Sequence, residues 1–178
     1  MLVRVYGFAV QGINATKITV EVSVGNGVNF HIVGLPDSAV KESQHRLHTA
    51  LKEHGFKFAG RHVTINMAPA DIRKEGSAYD LTLAIGILAA GGILPNEKIE
   101  DYVIMGEIAL DGELRPIKGA LPIALKAKNE GFKGIIVPAM NGEEAGVVSG
   151  LEVLTAKNLK QVIDFFRGNK GLDKANVD

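Results

Sequence analysis

At 178 residues and 19.0 kDa, with 46% hydrophobic and 22% charged residues, the chain is the size of one globular domain, able to bury about two thirds of the surface its unfolded form exposes. Twenty basic residues balance twenty acidic ones, and the absence of cysteine excludes disulfides, thiolate metal sites and thiol nucleophiles together. Arg4 interrupts the start, so no secretory leader is read there, and the longest apolar run, Leu83 to Ala90, is far below the roughly 20 residues of a bilayer span; a soluble, cytoplasmic protein without membrane contact is expected.

Taken in chain order, RVYGFAVQG reads as a first strand. Two period-2 runs follow, Ile18/Val20/Val22/Val24 and Val28/Phe30/Ile32, separated by Gly25-Asn26-Gly27, a spacing that predicts a β-hairpin. After Pro36 the period changes. Asp37 or Ser38 can cap a helix running to about His54, with Val40, Leu47 and Leu51 on one face and Gly55 placed to end it. HVTINMAPA returns to alternation, with Val63, Ile65 and Met67 on one side. Ala78 to Ala90 is almost wholly apolar and rich in Leu and Ala, which predicts a core helix ended by Gly91-Gly92.

YVIMGEIALDGEL predicts a strand entering a second hairpin at Asp111-Gly112, with Pro116 limiting the returning strand. A helix over 119–130, a buried strand in KGIIVPA, a short helix in GEEAGVVSG, a strand in LEVLTA and a closing helix in NLKQVIDFFRG complete the pattern. One α/β (α+β) domain over 1–168 is expected. The stretch 169–178 is polar and aperiodic, as a linker or the end of a truncation would be.

Three strings, GLPDSAVKESQHRLHTAL, INMAPADIRKEGSAYDLTLAIGIL and MGEIALDGELRPIKGALPIA, resemble the N-terminal domain of the ComM/YifB-type magnesium-chelatase-like AAA+ proteins, and the resemblance covers residues 1–167. Those domains resemble the Lon peptidase domain and, more distantly, the C-terminal domain of RadA. The fold implied is Lon-peptidase-domain-like, similar to the second domain of ribosomal small-subunit protein five.

A Ser-Lys peptidase needs a serine hydroxyl at the start of the core helix and a lysine amine to take its proton. Matching Lys74-Glu75-Gly76 to the Lon pattern K-D-G puts Ala78 at the nucleophile position, and matching the second half puts Leu121 at the general-base position. Both groups are therefore missing. Ser77 stands one residue early, a helical rotation of about 100°, and Lys118 three residues before Leu121; a displaced Ser77-Lys118 dyad is the enzymatic alternative. On structural grounds, Gly76 permits a tight strand-to-helix turn, Ser77 can act as N-cap and Asp80 suits the positive end of the helix. No G-x-x-x-x-G-K-[ST] string occurs, so no phosphate-cradling loop is read in this chain. His45 and His48 with Glu42 lack a metal-site pattern.

Charge is unevenly distributed. Between Lys41 and Lys74, seven Lys or Arg stand against three acids, with 13 basic and 17 acidic residues elsewhere. On the helix after Pro36, Lys41, His45, His48 and Lys52 fall within about 60° of arc, opposite the apolar face. With Arg61, Arg73 and Lys74 in loops, these seven residues form a candidate DNA-binding surface that contacts phosphates without reading bases. Phe56 and Phe58 are assigned to the core.

The resemblance implies a non-catalytic accessory domain of a ComM/YifB-type AAA+ ATPase, contributing to assembly and DNA engagement in recombination and transformation. No cofactor or metal is expected in this chain, with ATP and magnesium in an AAA+ portion of a longer parent. The expected partners are DNA, bound weakly and sequence-tolerantly, and other copies of the parent in a hexamer. A residual Ser-Lys peptidase and a purely structural oligomerisation module remain the alternatives.

Overall fold

The computed structural model describes residues 1–176. Strands β1 (Leu2–Gln11) and β2 (Asn14–Asn26) form a long antiparallel hairpin with register Gln11↔Asn14, closed by the two residues Gly12-Ile13. Gly12 takes φ +63°, a conformation that costs glycine little. Next come β3 (Phe30–Val33), α1 (Ser38–Lys52), β4 (Arg61–Ala68) and α2 (Asp80–Ala90). The second half contributes β5 (Tyr102–Ile104), β6 (Glu107–Ile108), β7 (Leu114–Arg115), α3 (Ala120–Asn129), β8 (Gly134–Pro138), α4 (Gly142–Ala145), β9 (Glu152–Ala156), α5 (Leu159–Phe166) and β10 (Asp173–Lys174). Eight strands make one mixed sheet in the order β10-β9-β8-β5-β1-β2-β4-β3, and β6 and β7 form a separate ribbon.

Three expectations are corrected. The segment Gly25-Asn26-Gly27 does not join a hairpin, because β4 lies between β2 and β3, antiparallel to the first and parallel to the second. Alternation identified both strands, but it carries no information about partners; β4 buries Val63, Ile65 and Met67 and is flanked on both edges. Helix α1 is then the crossover between parallel β3 and β4. The YVIMGEI run is likewise two strands. β5 belongs to the main sheet and β6 to the ribbon, with the break at Met105-Gly106, where Gly106 N–H donates to the Ala78 carbonyl at 2.8 Å. Finally, the aperiodic tail returns to the sheet. Asp173–Lys174 pair antiparallel with β9, and the Asn176 side chain accepts from Val153 N–H and donates to the Val148 carbonyl, each at 2.8 Å. Residues 177 and 178 lie outside the described residues.

The remaining elements fall where the periodicity places them. Asp37 caps α1, its Oδ1 accepting from Val40 N–H at 2.8 Å, and Val40, Leu47 and Leu51 are buried as expected. All eleven residues of α2 are buried, which accounts for the lack of any polar face in its sequence. Helix α2 lies on the face of the sheet that carries Val5, Val20 and Val22. By the alternation of β1, Val10 belongs to the other face, and there α3 begins, with Gly119 against the Val10 side chain. The centre of the sheet is therefore covered on both sides.

Gly86 sets how closely α2 approaches that sheet. A Cβ built there would stand 2.7 Å from Val22 Cγ2 and 3.2 Å from Val5 Cγ2, and both valines are stiff and fully buried. Gly86→Ala should therefore destabilise the fold by about 1–2 kcal/mol, overpacking outweighing the helix-propensity gain of about 1 kcal/mol. Chemical denaturation of the two proteins checks this sign.

Candidate functional site

Ser77 and Lys118 both line one cavity of about 780 Å³ between the N-terminal ends of α2 and α3. Neither conventional role is filled there. Ser77 is not the side-chain cap of α2; Tyr79 occupies the cap position without a side-chain bond, and Ser77 instead donates its hydroxyl to Glu107 Oε1. The other Glu107 oxygen lies 3.8 Å from the Arg115 guanidinium. Among the described residues no hydrogen bond joins Ser77 to Lys118, which is exposed at the cavity. The half-buried Ala78 and Leu121 contribute only backbone groups, the Ala78 carbonyl to Gly106 and the Leu121 N–H to Glu144 Oε2 at 3.0 Å. Beside them Tyr79 is buried, and burial pushes its phenol well above the ordinary tyrosine range, so it stays protonated.

Asp80, expected to act through the helix dipole, is 1% exposed and does something more specific. Its carboxylate accepts from Arg46 Nε at 2.8 Å and from an Arg46 terminal nitrogen at 2.9 Å, and from Ile108 N–H at 3.0 Å. Arg46 also donates to the Ala39 carbonyl at 3.2 Å. Burial pushes the Asp80 carboxyl up; the Arg46 and Ile108 hydrogen bonds pull it part of the way back, and the same pairing raises Arg46. Asp80→Asn should cost about 3 kcal/mol, since removing one partner leaves a partly buried cation unmatched. Adding Arg46→Met should recover part of that loss in a double-mutant cycle measured by denaturation.

The candidate DNA-binding residues separate into three groups. Lys41, His45, His48 and Lys52 are all exposed along one side of α1, while Arg46 of the same helix turns inward to Asp80. The His48 ring stacks on Phe58 with centroids 4.4 Å apart and 20° between planes. Phe58 meets Phe56 edge-on at 4.7 Å, and the exposed Arg61 guanidinium lies 5.7 Å from the Phe56 ring. Arg61 is thereby joined to the C-terminal half of the α1 face. Phe56 is a core residue as expected; Phe58 is only half-buried and supports His48. Arg73 is exposed and 3.3 Å from Glu75 in a solvated ion pair.

Lys74 is a correction. It is fully buried, its ammonium donating to the Gly34 and Pro69 carbonyls, while its backbone bonds Leu35 and Asp37 on either side. A lysine in a strand-to-helix loop reads as exposed from sequence, yet here it cross-links that loop to the turn before α1, and it cannot reach a phosphate. Desolvation pushes the Lys74 ammonium below the ordinary lysine range. The unfolded chain then binds more protons than the folded one between the lowered and the ordinary lysine pKa, so this contribution to stability rises with pH across that window. Lys74→Met should lower stability by about 2 kcal/mol through two unpaired carbonyls, and it should flatten the alkaline rise, as followed by denaturation at a series of pH values.

Sequence reasoning overlooked Glu107, Arg115 and the Arg46–Asp80 pair. Arg46 and Asp80 are 34 residues apart and Ser77 and Glu107 are 30 apart, beyond any local spacing, whereas Glu107 and Arg115 are opposed across the ribbon that Asp111-Gly112 closes.

The chain matches the family model described as subunit ChlI of Mg-chelatase over residues 20–141. It is 41% identical to the uncharacterized protein YifB of Escherichia coli over 167 residues, covering 93% of this chain and 33% of that protein. It is 38% identical to the competence protein ComM of Haemophilus influenzae over 175 residues, 98% of this chain and 34% of that protein. Lon protease 2 of Bacillus subtilis is more distant, at 31% identity over 154 residues, 85% of this chain and 27% of the protease. The chain thus spans about a third of the length of YifB and ComM. The Lon similarity agrees with the Lon-domain-like α/β fold expected from the motifs. Among the described residues no helix is long and apolar enough to cross a membrane.

Proposed function

This chain belongs to the family of the Mg-chelatase ChlI subunit, and we propose that it is the Lon-like, non-catalytic accessory domain of a magnesium-chelatase-like AAA+ ATPase of the ComM/YifB kind. In this reading it contributes to assembly, hexameric in the parent, and to DNA engagement in recombination and transformation in the cytoplasm, and binding of ATP and magnesium belongs to an AAA+ portion outside these residues. The relative named as a competence protein supports that placement. The absence of peptidase chemistry is supported by Ala78 and Leu121 at the two positions that would need a hydroxyl and an amine, and by Ser77 being held by a carboxylate.

The observation that carries DNA engagement is the division of α1: Arg46 turns inward, while Lys41, His45, His48 and Lys52 face solvent, continued by Arg61 through the Phe56–Phe58–His48 contacts. Arg73 adds to it, since a solvated ion pair such as Arg73–Glu75 contributes about 1 kcal/mol or less and yields readily to a phosphate. Such contacts position a backbone without reading base edges, so binding is weak and sequence-tolerant.

Four phosphate contacts, from Lys41, Lys52, Arg61 and Arg73, give an expected slope of log affinity against log salt of about −3 to −4 on duplex DNA, and each alanine substitution reduces it by about one. Fluorescence anisotropy across a salt series measures this. Lys126→Ala and Lys128→Ala, on α3, should change little. Equal losses from both sets, or no binding at low salt, would leave a structural oligomerisation module; covalent labelling of Ser77 by a serine-directed phosphonate would restore the peptidase reading.

A further inference from the structure

The sheet divides beside the cavity. β1 is ten residues long and β5 only three, and they meet at a single register pair, Tyr6↔Val103. Among the described residues, β1 from Gly7 to Gln11 is paired on one edge only, to β2. Gln11 and Asn14 flank a two-residue turn and so form the hydrogen-bonded pair that closes the hairpin. By alternation Ala9 also directs its N–H and C=O to β2, and Val10 directs its own to the opposite edge. That edge borders the cavity, whose lining includes Phe8, Val10 and Gly12. Its volume of about 780 Å³ falls in the range of pockets that hold ligands of several side chains' size.

The chemistry of the lining narrows the occupant. Met105, Ile117 and Ile123 supply an apolar interior, and the charged lining groups are Asp37, Glu75 and Glu107 against the single amine of Lys118. Glu75 lies 3.3 Å from Arg73 and Glu107 3.8 Å from Arg115, but both arginines are exposed and outside the lining, so the interior favours a cation over a phosphate backbone, unlike the basic face of α1. An open strand edge pairs with an extended backbone. An acidic lining selects a cationic side chain on it.

We propose that this cavity receives an extended peptide segment of a partner protein, which pairs through its backbone with β1 at Val10 and places a lysine or arginine side chain against Glu107 and Glu75. The site requires no nucleophile, and it shares with the proposed DNA contacts only the Arg73–Glu75 pair. Glu107 is held in place for this role by Ser77 and Arg115, and Gly12, Gly76 and Gly119 adjoin it in the lining.

The test titrates the isotopically labelled chain, observed by amide NMR, with a capped octapeptide of alternating valine and threonine carrying one central arginine. Matched probes carry glutamate at the centre or N-methyl groups on alternate backbone amides. The arginine peptide should shift the amides of Val10, Gly12, Gly76, Gly106 and Gly119. The glutamate peptide should bind about tenfold more weakly or worse, as expected for one charge-assisted hydrogen bond, and N-methylation on the pairing edge should abolish binding. Glu107→Gln should weaken the arginine peptide while leaving the glutamate peptide no weaker. Equal affinity for arginine and glutamate peptides, unchanged binding after N-methylation of either edge, shifts confined to the α1 basic face, or no binding at about 1 mM peptide would each overturn the proposal. Concentration-dependent broadening of the same amides without peptide would overturn it too, by assigning the edge to a second copy of this chain.

Discussion

Asp80 is a buried carboxylate tied to three elements at once. Its carboxylate sits at the first residue of a helix whose every residue is buried, and it satisfies its lone pairs with both faces of the Arg46 fork and with the Ile108 N–H. One side chain thereby joins α1, α2 and β6. A carboxylate with so little solvent is tolerated only because the guanidinium geometry matches it in two directions and a backbone donor completes the shell. The position of α1 follows from this. With Arg46 anchored inward, the helix rotation places Val40, Leu47 and Leu51 on the core and Lys41, His45, His48 and Lys52 in water.

The charge balance of the segment 41–74 changes meaning in three dimensions. Of its seven Lys and Arg, Arg46 is consumed by Asp80, Lys74 is buried against carbonyls and Arg73 faces Glu75. Lys41, Lys52, Lys57 and Arg61 make no ion pair among the described residues. Two of the seven are thus structural, and of the accessible five Lys41 and Lys52 lie on α1, Lys57 in the loop after it, Arg61 at the start of β4 and Arg73 before α2. The two structural cations serve the same end by different chemistry: a fork that matches a carboxylate, and a flexible amine that gathers two carbonyls from separate turns.

The cavity beside β1 has its origin in unequal strand lengths. β5 stops after three residues because the chain turns at Met105-Gly106 to make the β6–β7 ribbon, and the Ile108 bond to Asp80 holds that ribbon against α2. The ion pair that holds α1 through Arg46 therefore also fixes, through Ile108, the ribbon that carries Glu107 into the cavity.

Local pattern alone determined a good deal. Alternation located β2, β3 and β4, short runs such as RVYGFAVQG, KGIIVPA and LEVLTA located β1, β8 and β9, the change of period located α1, the unbroken apolar run located α2, and Asp37 and the Asp111-Gly112 pair marked a cap and a hairpin, because each depends on residues within a few positions of one another. The spacing of Lys41, His45, His48 and Lys52 likewise placed them on one exposed face. Tertiary structure alone decided strand partners, so β4 entered between β2 and β3; it docked the aperiodic tail on β9, where isolated polar residues pair without any periodic signature. It alone decided which charges were buried: nothing near Lys74 announces the Gly34 and Pro69 carbonyls, and nothing near Asp80 announces Arg46, 34 residues away. The reason is common to all of these. Periodicity reports which side of an element avoids water, whereas the pairing of an edge or a charge is chosen among groups that meet only after the chain has folded.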